Sequence, residues 1–241
     1  MLLELSGVSK RFGAIVAADG VNLSVADGEA LGIIGANGAG KSSLFNLVTG
    51  VLKPDAGRIV LAGRDITRDP ARERCRAGIG RSFQIPRPFE SLTVFENLLV
   101  ARQFGVADAG GDSTEACAAV LERTGLLGKA NVVAGRLTLL DRKRLELARA
   151  LATSPKILLL DEIAGGLTEA ECAALVGLIK SLNAEGITIV WIEHIVHALL
   201  SVVGRLLVLE FGKKIAEGEP RAVMADPAVR RSYLGIDEAA A

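Results

Sequence analysis

One stretch constrains this chain more than any other: Leu31 to Val48 reads LGIIGANGAGKSSLFNLV. An apolar run enters a glycine-rich turn, and a helical pattern leaves it at Ser42. The turn has the spacing G-x-x-x-x-G-K-[ST], whose glycines let the backbone curl so that its N–H groups face phosphate oxygens. The N-terminus of the following helix adds partial positive charge. A strand, this turn and a helix in succession predict a phosphate-binding loop.

Several residues of the predicted loop have a specific chemical role. Lys41 would reach the β- and γ-phosphates of a nucleoside triphosphate, and the Ser42 hydroxyl would bind Mg²⁺. The alternative, a glycine-rich turn without a ligand, leaves the strand before it and the helix after it unexplained. The residues that we assign to the nucleotide are Gly35, Asn37, Gly38, Ala39, Gly40, Lys41, Ser42 and Ser43. The sequence therefore predicts that the chain binds a nucleoside triphosphate with Mg²⁺.

Composition narrows the class of protein. The 241 residues include 28 Lys+Arg and 28 Asp+Glu, so the net charge is zero and gives no electrostatic reason to expect nucleic acid as a partner. No apolar run is long enough to cross a membrane, and the N-terminus does not look like a secretion signal. The three cysteines are far apart and form no C-x-x-C pair, which is typical of reduced thiols in a cytosolic protein.

The chain alternates between strand-rich and helix-rich parts. Strand patterns precede and follow a helical block, at Leu2–Val8, Val21–Val25, Arg58–Ala62, Ile157–Leu160, Ile187–Ile192, Leu206–Leu209 and Lys213–Glu217. Helical patterns occupy Thr114–Thr124, Arg142–Ala152 and Thr168–Leu182, and another helix begins at Thr93 with Glu96 as its capping partner. We expect a flexible loop at Gly105–Ser113, two short helices within Pro220–Leu234 and a frayed tail at Asp237–Ala241.

A second acidic group completes the predicted chemistry. The buried-strand run Ile157–Leu160 ends in Asp161, which would hold Mg²⁺ through its water shell. Glu162 follows at once, where a carboxylate can accept a proton from an attacking water. A solvated acidic pair at a strand end is the alternative interpretation, and the phosphate-binding loop upstream argues against it.

These residues, with three more, resemble the ATP-binding subunits of ABC transporters over essentially the whole chain. Phe12 matches the aromatic residue that stacks on adenine in that family, Gln84 in RSFQ matches its Q-loop glutamine, and His194 matches its switch histidine. The resemblance implies that Gln84 contacts Mg²⁺ or the attacking water and that His194 donates to the γ-phosphate. The expected metal residues are thus Ser42, Gln84 and Asp161, and the expected catalytic residues are Lys41, Gln84, Glu162 and His194.

The resemblance also implies the architecture. It predicts an α/β fold with a RecA-like P-loop NTPase core, an N-terminal antiparallel β portion and an inserted helical subdomain. The whole chain, 1–241, would form a single ABC-type ATP-binding domain. Its core with the β portion would take residues 1–84 and 155–218, its helical subdomain about 85–154, and its C-terminal short helices and tail 219–241.

One motif departs from the family. The usual signature is L-S-G-G-Q, which completes the ATP site of the opposite subunit, and here the stretch is Leu137-Thr138-Leu139-Leu140-Asp141. Thr138 keeps a hydroxyl that would meet the γ-phosphate. Leu139 and Leu140 replace glycines that allow close approach to a phosphate, and Asp141 would add negative charge near an anionic ligand. The D-loop segment after Glu162 also lacks a proline and an Asp or Asn that are common in the family.

Two hypotheses follow from that departure. Paired with an ATPase that carries L-S-G-G-Q, this chain would hydrolyse ATP at its own loop and support the partner's site poorly. Alternatively, the chain is a nucleotide-gated regulatory module with little hydrolysis. A soluble ABC ATPase acting on nucleic acid or ribosomes is a third possibility, which the single cassette and the neutral charge argue against.

Three segments are similar to branched-chain amino acid importer ATPases: Gly80–Gln84, Phe89–Leu98 and the ending from Ala216 to Gly235. ATPases for urea or short amides share these features and stay open as alternatives. The resemblance implies transmembrane permease subunits and a second ATP-binding subunit in a head-to-tail dimer, with a substrate-binding protein as an indirect partner. It implies a peripheral position on the cytoplasmic face of the inner membrane. Near Gln84–Phe89, a Pro-rich and partly apolar stretch is our hypothesis for the permease docking site.

Overall fold

The computed structural model describes residues 1–105 and 112–234. Its strands are β1 (Leu3–Phe12), β2 (Ile15–Val25), β3 (Ala30–Ile34), β4 (Ala56–Leu61), β5 (Arg64–Asp65), β6 (Ile79–Arg81), β7 (Ile157–Asp161), β8 (Thr188–Ile192), β9 (Arg205–Glu210) and β10 (Lys213–Gly218). Its helices are α1 (Lys41–Val48), α2 (Ala71–Arg76), α3 (Val94–Gly105), α4 (Ser113–Arg123), α5 (Leu139–Ala152), α6 (Glu169–Ala184), α7 (Val196–Leu200), α8 (Pro220–Ala225) and α9 (Pro227–Val229). Short 3₁₀ turns lie at Leu127–Lys129 and Ala134–Arg136, and a π-helical turn at Arg230–Leu234.

The strands form two sheets. One is antiparallel, in the order β2-β1-β4-β5, and the other has the order β10-β9-β3-β8-β7-β6. In the second sheet every neighbouring pair is parallel except β9 with the edge strand β10. The predicted α/β core with an antiparallel β portion is confirmed.

Alternating side chains of the parallel strands pack on opposite faces of the second sheet. Leu159 and Val190 face α1 and the antiparallel sheet, whereas Leu158, Leu160 and Trp191 face the side of α5, α6 and α7. The strands are buried on both faces, which explains their continuous apolar sequence. This packing fixes the carboxyl ends of the parallel strands, where the predicted site residues lie.

A third apolar cluster joins α3, α4 and α5 through Val94, Leu98, Leu121 and Leu145. The predicted capping box opens α3: the Glu96 carboxylate accepts from the Thr93 N–H at 2.7 Å, and the Thr93 hydroxyl oxygen accepts from the Glu96 N–H at 3.1 Å. The helical character expected for this block is therefore confirmed in its described part.

Several boundaries differ from the sequence predictions. Helix α5 begins at Leu139 instead of Arg142, because two leucines favour the helix where glycines would not. The loop predicted at Gly105–Ser113 is wrong at both described ends, because Gly105 belongs to α3 and Ser113 to α4, with Asp112 as the N-cap of α4. Residues 106–111 of that predicted loop, and the predicted tail, lie outside the described residues. Strand β6 and helix α2 were not predicted.

None of the helices in the described ranges combines the length and the apolar character that a membrane span requires.

Candidate nucleotide-binding and hydrolysis site

The parallel sheet brings distant segments to one edge. The phosphate-binding loop follows β3, Asp161 ends β7, His194 lies just beyond β8, and Gln84 follows β6. In open α/β sheets ligands bind at the carboxyl ends of the strands. The topology therefore places the predicted site residues on the side where a ligand is expected.

The glycines of the loop are required by close backbone contacts. A Cβ on Gly35 would stand 2.2 Å from the Leu209 carbonyl oxygen, and one on Gly40 would stand 2.3 Å from that of Ala17. The φ angle is positive at Gly35 (155°), at the exposed Gly38 (83°) and at Gly40 (102°). The loop is thus held between β2 and β9 in a conformation that residues with a side chain rarely adopt.

Lys41 is buried in the loop, with only 5% of its surface exposed. Its Nζ donates to the carbonyl oxygens of Gly35 at 2.7 Å and Ala36 at 3.1 Å. Burial lowers the pKa of Lys41, while the nearby carboxylates of Glu162 and Asp161 act in the opposite direction. An ammonium has three N–H donors, so one remains for a phosphate oxygen. Ala36, Asn37, Gly38 and Ser42 are exposed, Ser43 is half-buried, and Ala39 is buried.

Glu162 contacts two further residues of the predicted site, Gln84 and His194. Gln84 Nε2 donates to Glu162 Oε2 at 2.6 Å, and His194 Nε2 lies 2.7 Å from Glu162 Oε1. The backbone of Glu162 is left-handed, with φ of 46°, which for a non-glycine residue costs about 1–3 kcal/mol. The structure thus gathers Gln84, Glu162 and His194 into one group of contacting polar side chains, which we call the Glu162 triad.

Asp161 has a partner that the sequence analysis missed. Arg81 Nη2 donates to Asp161 Oδ2 at 2.7 Å, and Arg81 Nη1 donates to Asn46 Oδ1 at 2.6 Å. Both members of the Arg81–Asp161 ion pair are almost fully buried. The sequence analysis missed this pair because it did not predict the short strand β6, whose last residue, Arg81, lies beside β7.

The donors near the loop suit a magnesium ion. The Oδ1 atom of Asp161 and the exposed hydroxyl of Ser42 are hard oxygen ligands, which Mg²⁺ combines with waters and phosphate oxygens. Among residues 1–105 and 112–234 no cluster of three His, Cys, Asp or Glu residues is able to hold a metal. This donor set fits an ion bound jointly with a phosphate group.

The sequence analysis also missed two buried ionisable residues next to the Glu162 triad, Lys143 and Glu193. Lys143, on α5, donates from Nζ to the Gln84 carbonyl oxygen at 2.7 Å, and burial lowers its pKa. The Glu193 carboxylate accepts from the N–H groups of Ala164 at 2.9 Å and His194 at 3.2 Å. Each holds the backbone of a triad residue or of the segment beside it, so both are positioning residues.

The Glu193 carboxyl gives a pH-dependent prediction. Burial raises its pKa from an ordinary value of 4.5 to about 7, so between these values the folded state binds a proton that the unfolded state lacks. Stability contributed by that proton is present below pH 4.5 and lost as pH rises through 7. Glu193→Gln should therefore unfold less readily than wild type at pH 8.5, by up to about 3 kcal/mol, with the difference falling below about 1 kcal/mol at pH 5.

Urea unfolding at pH 5, 7 and 8.5 measures this. Glu169→Gln, an exposed glutamate at the start of α6, is the matched control and should change stability little at any pH. A stability difference for Glu193→Gln that does not vary with pH contradicts the prediction.

Phe12 lies at the tip of the β1–β2 hairpin, where it pairs with Ile15. Its ring is 45% exposed, and Lys10 Nζ lies 5.5 Å from the ring centroid. The same hairpin contacts the phosphate-binding loop at Ala17, which faces Gly40. The hairpin therefore carries an exposed aromatic ring to the side of the loop, without a hydrogen bond to the triad.

The negative charge that the sequence analysis expected Asp141 to add is neutralised within the chain. Its carboxylate is 6% exposed and forms an ion pair with Lys129, and it accepts from the Thr138 hydroxyl at 2.9 Å. Thr138 is the N-cap of α5, and its hydroxyl oxygen accepts from the Asp141 N–H at 3.3 Å. Within the described ranges Thr138 has no hydrogen bond to the loop or to the Glu162 triad. The signature stretch is thus a helix start with its charge neutralised.

Comparison with known proteins agrees with this site. The family model described as "ABC transporter" matches residues 18–165, and one described as "Branched-chain amino acid ATP-binding cassette transporter" matches residues 213–239. The chain is 38% identical over 249 aligned positions to the high-affinity branched-chain amino acid transport ATP-binding protein LivG of Escherichia coli, with 97% of this chain and 98% of LivG covered.

Solved structures give the same result. The ADP conformation of an ATP-binding cassette of an ABC transporter superimposes with a TM-score of 0.88 at 35% identity, covering 98% of this chain and 99% of that one. A dimeric cassette in a post-hydrolysis state, bound to ADP and Pi, gives a TM-score of 0.81 at 26% identity, covering 91% and 99%. On these grounds, and on the phosphate-binding loop with its acidic partners, the chain belongs to the ABC transporter family of nucleotide-binding transport ATPases.

Proposed function

We propose that this chain hydrolyses ATP to power a membrane importer of branched-chain amino acids. The observation that carries the hydrolytic part is the Glu162 triad, in which both oxygens of one carboxylate are held beside a phosphate-binding loop. The cargo is supported by the similarity to LivG and by the C-terminal match at residues 213–239.

The chemistry follows from the residues in place. Lys41 and the loop N–H groups bind the β- and γ-phosphates, and Phe12 stacks on the adenine. Glu162 orients and deprotonates the attacking water, while His194 donates to the γ-phosphate and Gln84 positions the water. Mg²⁺, held by Ser42, Asp161 and Gln84, supplies charge neutralisation of the phosphates when bound. Because Gln84 and His194 now bond Glu162, nucleotide binding must exchange these bonds for contacts to the ligand.

The division of the chain supports this function. We assign one ATP-binding domain to 1–241, with a core of 1–84 and 155–218, a helical subdomain at about 85–154 and a C-terminal segment of 219–241. Separate apolar clusters in the helical block and on the two faces of the parallel sheet favour the division. The helical part then moves relative to the core during the transport cycle.

A second ATP-binding subunit completes the site in a head-to-tail pair. The dimeric cassette described above is a precedent at 26% identity. In such a pair the Thr138 end of α5 faces the partner's nucleotide, and its hydroxyl must leave Asp141 to reach a phosphate. This requirement favours a partner whose own signature is L-S-G-G-Q, with this chain hydrolysing at its own loop.

Transmembrane permease subunits dock on the segment after Gln84. Helix α5 holds this segment, because Arg149 Nη1 donates to the Arg87 carbonyl oxygen at 2.9 Å and the Arg149 guanidinium lies 5.2 Å from the Phe89 ring centroid. Asn97 fixes its end by accepting from the Phe89 N–H at 2.8 Å. Phe89 itself is 45% exposed, as an apolar anchor for a partner would be.

Phe89→Asp should detach the chain from its permease. A charge at the centre of an apolar contact is expected to lower the amount co-purified from membranes at least about tenfold. Phe211→Asp is the control, because Phe211 is more exposed and sits between β9 and β10 at the opposite edge of the sheet. Equal co-purification of Phe89→Asp and wild type would show that docking occurs elsewhere.

Docked on the permease in this way, the chain is a peripheral subunit on the cytoplasmic face of the inner membrane. A substrate-binding protein then serves the permease from the opposite face of the membrane. The test is uptake of labelled leucine and of labelled urea by cells that carry or lack the gene. Loss of leucine uptake alone supports the cargo, and loss of urea uptake alone overturns it. An assembled complex that transports leucine without releasing phosphate overturns the hydrolytic role.

A further inference from the structure

Arg81 connects the two elements that carry the proposed magnesium donors. Its Nη2 donates to Asp161 Oδ2, at the end of β7, and its Nη1 donates to Asn46 Oδ1, on α1, at 2.7 Å and 2.6 Å. Asn46 follows Ser42 by four residues, so the two side chains project from the same face of α1. One guanidinium therefore bridges the helix that carries the Ser42 hydroxyl and the strand that ends in the Asp161 carboxylate.

The position of this guanidinium is fixed by its surroundings. The side chain of Arg81 is 9% exposed and that of Asp161 is 7% exposed. The ring centroids of Phe83 and Phe45 lie 4.9 Å and 5.6 Å from the guanidinium carbon. A guanidinium presents its N–H donors in a rigid, planar fork. The two hydrogen bonds of Arg81 thus set where Asp161 lies relative to α1.

The stability of the fold does not by itself explain a charged fork at this position. Taking two charges out of water costs about as much free energy as their attraction returns, and apolar residues of similar volume often stabilise a fold equally well or better. The cleft that Arg81 borders also has Val51, Ile79 and Phe83 in its lining, so an apolar side chain would suit this position. This comparison points to a role of Arg81 in the nucleotide site.

We infer that Arg81 is a positioning residue for Mg²⁺: it sets the separation between Ser42 and Asp161, and it holds the carboxylate by Oδ2 so that Oδ1 serves the metal. Hydrogen-bond partners of metal ligands orient those ligands, and losing one typically lowers metal affinity about 10–100-fold. Arg81 acts through Asp161 and α1, and not on the nucleotide. The inference rests on the Mg²⁺ and nucleotide binding of the proposed function.

Two variants remove this bridge and keep the net charge of the site, which matters because loss of a positive charge would by itself attract a cation. Arg81→Lys keeps the charge but cannot form both bonds of the fork. Asn46→Ala removes the bond to α1 and introduces a residue that favours a helix. Arg72→Lys, at an exposed arginine of α2, is the matched control.

Titration calorimetry of the full chain with the non-hydrolysable analogue adenylyl imidodiphosphate, in Mg²⁺ and in EDTA, gives the factor by which the metal tightens nucleotide binding. Arg81→Lys and Asn46→Ala should each lower this factor about tenfold. Their affinity in EDTA should stay within about twofold of wild type, because the phosphate-binding loop is untouched. Arg72→Lys should keep the wild-type factor. Melting curves in EDTA show whether each variant is folded.

Four results would overturn the inference. A factor unchanged in both variants would show that the metal site does not need the bridge, and a loss confined to Arg81→Lys would show that the bond to α1 has no part in it. A loss of affinity that is equal in Mg²⁺ and in EDTA would make Arg81 a structural residue of the loop. A wild type without any effect of Mg²⁺ would overturn the metal site of the proposed function itself, and the inference with it.

Discussion

Glu162→Gln should lower ATP turnover by about 10²–10⁴-fold, the range in which positioned general bases contribute. Gln84 Nε2 donates to one Glu162 oxygen at 2.6 Å, and His194 Nε2 lies 2.7 Å from the other. An amide keeps the shape and one acceptor but takes no proton from water. Because Lys41 and the loop glycines are untouched, nucleotide affinity should change little. Phosphate release by the membrane complex, with nucleotide binding measured separately, checks both parts.

Glu169→Gln is the control for this loss, since it removes a carboxylate from the exposed start of α6 and should leave turnover within about twofold. Turnover of Glu162→Gln near the wild-type rate would exclude Glu162 as the base. A regulatory module with little hydrolysis would instead show low turnover already in the wild type.

Glu162→Gln also tests whether the two ATP sites of a mixed dimer contribute unequally to turnover. The Thr138 hydroxyl donates to Asp141, and Asp141 forms an ion pair with Lys129. The polar groups of the signature that would face the partner's nucleotide are therefore engaged in contacts within this chain. With a partner that carries L-S-G-G-Q, Glu162→Gln should abolish most turnover, and the partner's equivalent change should matter less. Equal losses from the two variants would refute this asymmetry.

The features that the sequence could predict depend on residues that are close together in the chain. The phosphate-binding loop requires only a strand, a glycine-rich turn and a helix in succession, so Gly35–Ser43 was readable from neighbouring residues. The capping box at Thr93 and Glu96 was readable for the same reason. Helix α2, in contrast, is short and mostly charged, and its Arg74 is fully buried because it donates to the carbonyl oxygens at the end of α1. No periodic pattern marks such a helix.

What the sequence left out depends on contacts between distant elements. Gln84, Glu162 and His194 meet because β6, β7 and β8 are neighbours in one sheet, and only the family resemblance suggested that they would. The support given by Lys143 to the Gln84 backbone comes from α5, and nothing near either residue in the sequence reveals it. The neutralisation of Asp141 by Lys129 was missed for the same reason, because Lys129 lies in the 3₁₀ turn Leu127–Lys129 and not in α5.

Lys41→Met should lower nucleotide affinity at least about 10²-fold, because a desolvated charge-assisted contact to a phosphate is lost. The fold should tolerate the change. Burial lowers the pKa of Lys41, so holding the ammonium in the loop costs free energy that methionine does not. The variant should therefore unfold at the same denaturant concentration as wild type, or a higher one, while titration with ATP and Mg²⁺ shows the loss of binding.

The matched control is Lys180→Met, which removes an exposed lysine from α6, well along the chain from the loop. It should bind nucleotide like wild type. If Lys41→Met lost affinity only in proportion to lost stability, the lysine would be a structural residue that ties Gly35 and Ala36 together through its two hydrogen bonds. Unchanged or raised stability with lost binding would instead show that the lysine is kept, at a cost to the fold, for a phosphate that its third N–H can bind.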